Sequence, residues 1–262
     1  MTLTLTMIFF VFGLIIGSFL NVLIYRLNTR KSLGGRSACM SCQKTLCWYE
    51  LIPLFSFFAL KGRCSGCKTK ISVQYPIVEF ITGFIFGLLF FKFKNIFFSD
   101  TITFSLLFGY YAVLFSILIT ILVYDVKHKI IPDVLSLVFG VLSFVGMFFI
   151  SGYEIYPHIP YILDLLSGFI ISLPFAALWF FSRGTWMGLG DAKLMLGIGF
   201  FLGLGKALSA MVIAFWSGAI LGLLLVIFSK KIGIKSEIPF APFLVIGTFI
   251  AFFFDVFIFK VF

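Results

Sequence analysis

Two aspartates and four cysteines have the side chains and spacing that can do chemistry. Asp125 stands in Val123-Tyr124-Asp125-Val126-Lys127, at the end of one apolar stretch. Asp191 stands in Gly188-Leu189-Gly190-Asp191-Ala192-Lys193, at the start of another. Acids beside hydrocarbon are costly, so each needs a reason. Two carboxylates brought together cannot both ionise cheaply; one keeps its proton and the other stays a base. That is the equipment of an aspartyl protease, in which the ionised partner activates water and the protonated one polarises a scissile carbonyl. Gly188 and Gly190 suit the same use, because glycine lets a backbone approach a substrate strand closely. The competing reading is a set of ordinary interfacial ion pairs, Asp125 with Lys127 or Lys129 and Asp191 with Lys193.

Cys39-Met40-Ser41-Cys42 and Cys64-Ser65-Gly66-Cys67 form two CxxC pairs separated by 21 residues. Two such pairs can place four thiolates tetrahedrally around a soft divalent ion, which points to structural zinc held by Cys39, Cys42, Cys64 and Cys67. Thiol redox chemistry or plain free thiols are the alternatives. The segment around them has few large apolar residues beyond Leu51, Ile52, Leu54 and Phe55–Phe58, so a metal would help it fold. Cys47 reads as a small, semi-buried residue.

The elements that position these groups follow from composition. Of 262 residues, 61% are hydrophobic, 11% are charged and 39 are Phe, and mean hydropathy is +1.17. A soluble domain is nearer ~45–50% apolar and ~25% charged, so a large soluble domain is excluded. The expected fold is an all-α polytopic membrane protein with about eight transmembrane helices and a small Cys-rich cytosolic loop domain between the first two. The spans fall near residues 3–27, 76–91, 101–124, 131–150, 160–182, 192–205, 207–229 and 239–259. The first lacks a basic leader and exceeds the ~7–15-residue core of a signal peptide, so it reads as a retained helix. The stretch 192–205 is short, and its helix is expected to start in the preceding loop or to be re-entrant. Organisation follows: 1–27 first helix, 28–75 cytosolic four-cysteine domain, 76–262 membrane core.

Sixteen of 20 basic residues fall in loops on the side of residues 28–75. Lys and Arg collect in cytoplasmic loops, so this side is cytosolic and both termini lie outside. The same bias accounts for the formal charge of +10, and no nucleic-acid partner is expected. The topology puts Asp125 and Asp191 at one depth on the cytosolic side. Asp133 reads as a cap or lining residue at the start of the fourth helix, and Asp164 and Asp255 as hydrogen-bonded or snorkelling groups at outer helix ends. Glu79 can serve the loop or the site. Asp100 and Glu154 read as solvated outer residues, Glu50 and Glu237 as solvated cytosolic ones. His128 is an interface residue with no assigned catalysis.

These motifs, taken in order, resemble the bacterial type IV prepilin peptidases, bifunctional leader peptidase/N-methyltransferases of the GxGD class of membrane aspartyl proteases. The likeness runs from Gly17-Ser18-Phe19-Leu20-Asn21-Val22-Leu23-Ile24-Tyr25-Arg26 through both CxxC pairs, Gly62-Arg63-Cys64 and Ile71-Ser72. It continues through Tyr75-Pro76-Ile77-Val78-Glu79, Asp125 with Ile131-Pro132-Asp133, and Gly188–Lys193. The resemblance implies Asp125 and Asp191 as the catalytic pair, with Gly188, Gly190 and Lys193 supporting it. It implies cleavage of a basic leader after Gly from type IV pilus prepilins or type II secretion pseudopilins, at the bacterial inner membrane. S-adenosylmethionine-dependent methylation of the new N-terminus would follow, associated with the cysteine-bearing region. Asn28, Met40 and Ala241 depart from the family's usual Pro, Pro and Gly.

A basic leader is not drawn to a basic loop, so Glu50, Glu79 or anionic membrane lipid has to supply attraction. Alternatively the substrate's apolar helix docks laterally against the Phe-rich helices. The rival from another class is a proton- or cation-coupled transporter using Asp125, Asp191, Asp164 and Asp255; a non-enzymatic metal- or lipid-binding scaffold is the third reading.

Overall fold

The structure, a computed structural model, describes residues 1–29, 34–228 and 238–258. Arg30, Lys31, Lys230, Lys231, Lys235, Glu237 and Lys260, which entered the charge argument, lie outside the described residues. The chain forms two compact units, Met1–Thr120 and Ile121–Phe262.

In the first unit, α1 (Thr2–Arg26) packs along α3 (Gln74–Ser99). Lipid gives helices no hydrophobic reason to associate, so small residues that let backbones close together do the work. Gly13 and Gly17, one turn apart on α1, meet α3 so tightly that a Cβ on either would lie 2.7 Å from Phe86 Cβ or Glu79 Cα, respectively. Gly83 on α3 answers them, facing the Phe10 carbonyl of α1. Above this seam the phenylalanines pack ring on ring: Phe9 sits 4.7 Å from both Phe90 and Phe108. Helix α3 runs past its expected end at 91, because Lys92 and Lys94 can carry their charges outward on apolar stems; Lys94 lies over the Phe91 ring. Asp100 is exposed as expected, and it also caps α4 (Thr101–His128) by accepting the N–H groups of Ile102 and Thr103. Between α1 and α3 lie the two cysteine turns, a 3-10 turn at Trp48–Leu51 and the short α2 (Phe55–Ala59).

The second unit takes up the end of α4 and adds α5 (Asp133–Gly146), a small hairpin of β1 (Ile150–Ser151) and β2 (Glu154–Ile155), α6 (Ile162–Ser182), α7 (Leu189–Phe228) and α8 (Ala241–Phe253). Helices α5, α6 and α8 each pack on α7. Where α6 crosses α7, Gly168 and Gly199 touch; a Cβ on Gly199 would lie 2.5 Å from Gly168 Cα. Four residues later α7 breaks at Gly203, whose φ of 71° and ψ of 167° are not helical. A break at membrane depth is tolerated when neighbours satisfy the released backbone groups. Helix α6 does this twice: Asp164 accepts the Leu204 N–H at 3.3 Å, and Ser167 donates to the Gly199 carbonyl at 2.8 Å. The break separates the expected sixth and seventh spans. The helical part before it begins at Leu189, three residues earlier than 192, within the preceding loop as anticipated.

Two expected spans come out shorter. Residues 131–150 yield a helix of 14 residues and 239–259 one of 13, about 20 Å each at ~1.5 Å per residue. Pro132 delays the first, and the hairpin ends it. Asp255, at a φ of 47°, turns away from α8 and meets Lys206 at 2.5 Å. Among the described residues α1, α3, α4, α6 and α7 are long and apolar enough to cross a membrane. The chain is a multi-pass, all-α membrane protein with a Cys-rich segment between its first two long helices.

Candidate active site and metal-ligand cluster

Asp125 occupies the last turn of α4 and Asp191 the first turn of α7. Both belong to the second unit and both are buried, 4% and 8% exposed. The segments that carry them meet, Ile131 beyond Asp125 packing on Gly190 beside Asp191, although 66 positions separate the two acids. The first N–H of α8, at Ala241, donates to Asp125 Oδ2 at 3.2 Å. A helix N-terminus carries partial positive charge and exposed N–H donors, so the start of α8 is suited to hold the Asp125 carboxylate. No side-chain type marks a backbone donor; the available signal was Pro242, a residue favoured just inside helix starts.

The two glycines of the motif differ. A Cβ on Gly190 would fall 2.9 Å from Ile131 Cβ, so close packing excludes a side chain there. At Gly188 the nearest neighbour would be Asp191 Oδ2 at 3.8 Å, an ordinary contact, and its carbonyl accepts the Asp191 N–H. Lys193 pairs with Asp133 at 2.7 Å, not with Asp191. Asp133 therefore does not cap α5. Pro132 holds the cap position with no side-chain hydrogen bond, and the Asp133 carboxylate is drawn off to the lysine. His128 is exposed and lies against the Tyr124 ring. Two buried acids from different helices, with an amide donor on one, can hold a water and exchange a proton with it.

In the first unit the four thiols converge. Cys39 and Cys67 sulfurs are 3.8 Å apart, those of Cys42 and Cys64 are 4.0 Å apart, and all four lie within 4.8 Å of one another. The two turns repeat each other. Each first cysteine, Cys39 and Cys64, donates its N–H to the carbonyl five residues on, at Lys44 and Thr69. Each accepts from the residue four on, Gln43 and Lys68, which both hold a positive φ near 60°. The Thr69 hydroxyl and then its N–H hold the Cys67 thiol down at about 6.

Glu50 corrects its expected reading as a solvated residue: it is 7% exposed. Its carboxylate accepts from Lys44 Nζ at 3.2 Å, from the Cys47 N–H at 2.8 Å and from the Ser65 hydroxyl. Lys44 follows the first CxxC and Ser65 lies inside the second, so Glu50 ties the turns together. The Ser65 hydroxyl, then the Cys47 N–H and Lys44, keep the carboxyl at about 2. Cys47 is exposed, not semi-buried, and its N–H donates to Glu50. Glu79 serves the loop, accepting the Leu54 N–H at 2.8 Å.

Comparison with known proteins matches residues 11–93 to the bacterial peptidase A24 N-terminal domain and residues 112–227 to the type IV leader peptidase family. A Bacillus subtilis protein named prepilin leader peptidase/N-methyltransferase is 32% identical over 94% of this chain and 92% of its own length. A Myxococcus xanthus protein of the same name is 33% identical over 87% of this chain, which spans 65% of that relative. One from Vibrio cholerae is 30% identical over 75% of this chain and 77% of its own length. No solved structure matches.

Proposed function

The chain belongs to the type IV leader peptidase family, and from that premise we propose that it removes the basic leader of type IV prepilins or pseudopilins after Gly and then methylates the new N-terminus. The observation that carries this reading is the convergence of Asp125 and Asp191, two buried acids from the end of α4 and the start of α7. The ionised carboxylate takes a proton from a water as it attacks the scissile carbonyl. The protonated partner donates to that carbonyl oxygen; the first carboxyl then gives the proton it took from water to the departing amine, and the partner recovers its own as the tetrahedral intermediate collapses. Gly188, Gly190 and Lys193 support the pair, the last by tying the first turn of α7 to the start of α5 through Asp133.

A tetrahedron of thiolates at ~2.3 Å from zinc has edges of about 3.8 Å; the Cys39–Cys67 and Cys42–Cys64 sulfurs are 3.8 and 4.0 Å apart, and all four lie within 4.8 Å of one another. Cys39, Cys42, Cys64 and Cys67 would hold such an ion, which supplies folding energy to residues 28–75. Methyl transfer calls for S-adenosylmethionine as donor. The exposed rings of Trp48 and Tyr49 fit an adenine face; the Glu50 carboxylate does not fit its cationic groups, being already bonded to Lys44.

The chain is a multi-pass inner-membrane protein, and the charge asymmetry of its loops favours a cytosolic cysteine region with both termini outside. Glu50 and Glu79 are each engaged within the first unit, which leaves anionic lipid to attract the basic leader. The substrate's apolar helix reaches the site along the bilayer. A transporter reading gains nothing here, since Asp164 and Asp255 are bonded to the Leu204 N–H and to Lys206. Mass spectrometry of a co-expressed prepilin is the test: loss of the leader and gain of one methyl mass are expected. An unprocessed prepilin beside well-inserted protein overturns the reading.

A further inference from the structure

Glu79 is a buried acid, 6% exposed, that neither the carboxylate pair nor the cysteine cluster uses. It lies in the second turn of α3, and its Oε2 accepts the Leu54 N–H at 2.8 Å. Leu54 has φ 59° and ψ −53°, and Phe55 N donates to the Pro53 carbonyl at 2.6 Å. This is a γ-turn of the rare, strained hand. Such a turn at a residue with a Cβ persists only when its surroundings hold it. Here a single carboxylate grips its central N–H. The grip is itself braced from α1: Gly17 lets α1 press against the Glu79 backbone, and Asn21 donates to the Tyr75 carbonyl at 3.1 Å. Leu54 in turn opens α2, which leads through Gly62, packed on Phe57, into the second cysteine turn.

A loop N–H is ordinarily satisfied by water or backbone, and burying a carboxylate to meet one is expensive. We infer that Glu79 is a positioning residue for methyl transfer, fixing the four-cysteine segment on the α1–α3 pair through the Leu54 N–H. The inference rests on the reading that this segment serves N-methylation. It assigns Glu79 no part in leader removal.

The test uses the full chain in proteoliposomes with two substrates: an intact prepilin, and an already mature pilin presenting a free N-terminal amine. Glu79→Ala is expected to lower kcat for methylation of the mature pilin at least about tenfold, the scale of a lost charged hydrogen bond. KM for S-adenosylmethionine and the rate of leader removal should stay within about twofold. Glu79→Gln keeps an oxygen that accepts the Leu54 N–H, so it should recover methylation to within about threefold. Hydrogen exchange over residues 53–58 should quicken in the Ala variant and not in the Gln variant. Wild-type methylation by Glu79→Ala, equal defects in both variants, or cleavage falling together with methylation overturns the inference. A wild-type chain that cleaves but adds no methyl group overturns the functional reading instead, and the exchange contrast still reports whether the tether exists.

Discussion

The Ala241 N–H points at Asp125, donating to its Oδ2 at 3.2 Å from the first position of α8. A backbone donor on a reacting carboxylate fixes the side chain's orientation and adds to the positive end of the helix dipole. Replacing Ala241 by its α-hydroxy analogue, which exchanges N–H for an ester oxygen, is expected to slow leader cleavage about tenfold. Ala241→Gly keeps the donor and should stay within about threefold. Initial rates on a purified prepilin check both; equal rates for the ester and the wild type exclude a role for the amide.

In the proposed hydrolysis Asp125 and Asp191 supply the two proton states, and Asp125→Asn and Asp191→Asn each remove one. Each is expected to lower cleavage by roughly a thousandfold or more, and the double variant to be little worse than either single one, since groups that act as a unit are non-additive. Membrane insertion should be unchanged. Gel mobility of the prepilin and membrane fractionation of the enzyme measure the two outcomes.

What could be read from residues alone follows from what each feature is made of. Asp125 and Asp191 stand out because an acid among Phe, Leu and Ile has few cheap explanations. The CxxC pairs stand out because their spacing is itself the geometry. The Ala241 donor is invisible in residue type, because every residue but proline carries one. Glu50 was misread because its partners Lys44 and Ser65 lie 6 and 15 positions away, so only the fold makes it buried. Hydropathy overextended the span at 131–150 because it counts apolar residues and is blind to the hairpin that Gly152, at a φ of 61°, allows just beyond. Asp133 looked like a cap until Lys193 competed for it.

That competition yields a prediction of its own. Lys193 and Asp133 are 43% and 73% exposed at the side chain, and exposed pairs contribute about 0.2–1 kcal/mol. Lys193→Met and Asp133→Asn should therefore change thermal stability by no more than that, and a double-mutant cycle should show their small effects on cleavage to be shared. If Lys193→Met were as inactive as Asp191→Asn while Asp133→Asn kept full activity, the lysine would be acting on the catalytic acid directly.

Metal removal is expected to separate the two activities. Cys39→Ser or Cys64→Ser is expected to lower bound zinc from about one per chain to near zero, because three thiolates do not close a structural tetrahedral site. Methylation or the integrity of residues 28–75 should suffer more than peptide hydrolysis. Metal analysis of the purified chain with parallel cleavage and methylation assays checks this. Full zinc content in both variants rules the four-thiolate site out.

Glu50 gives a pH dependence with a definite sign. Its carboxyl lies at about 2 in the folded chain against an ordinary 4.5, held there first by the Ser65 hydroxyl, then by the Cys47 N–H and Lys44. A carboxyl whose folded value is depressed binds fewer protons in the folded than in the unfolded state, so its contribution is complete above about 4.5 and fades as pH falls toward 2. Glu50→Gln removes the charge at every pH. The order of the cysteine segment, read as hydrogen exchange over residues 44–66 in metal-free protein, should be greater in wild type than in the variant at neutral pH. The difference should hold down to about pH 5 and shrink below it. A difference that grew on acidification would mean that the buried carboxylate is a burden to the fold, and that Lys44 and Ser65 gather around it without joining the two cysteine turns.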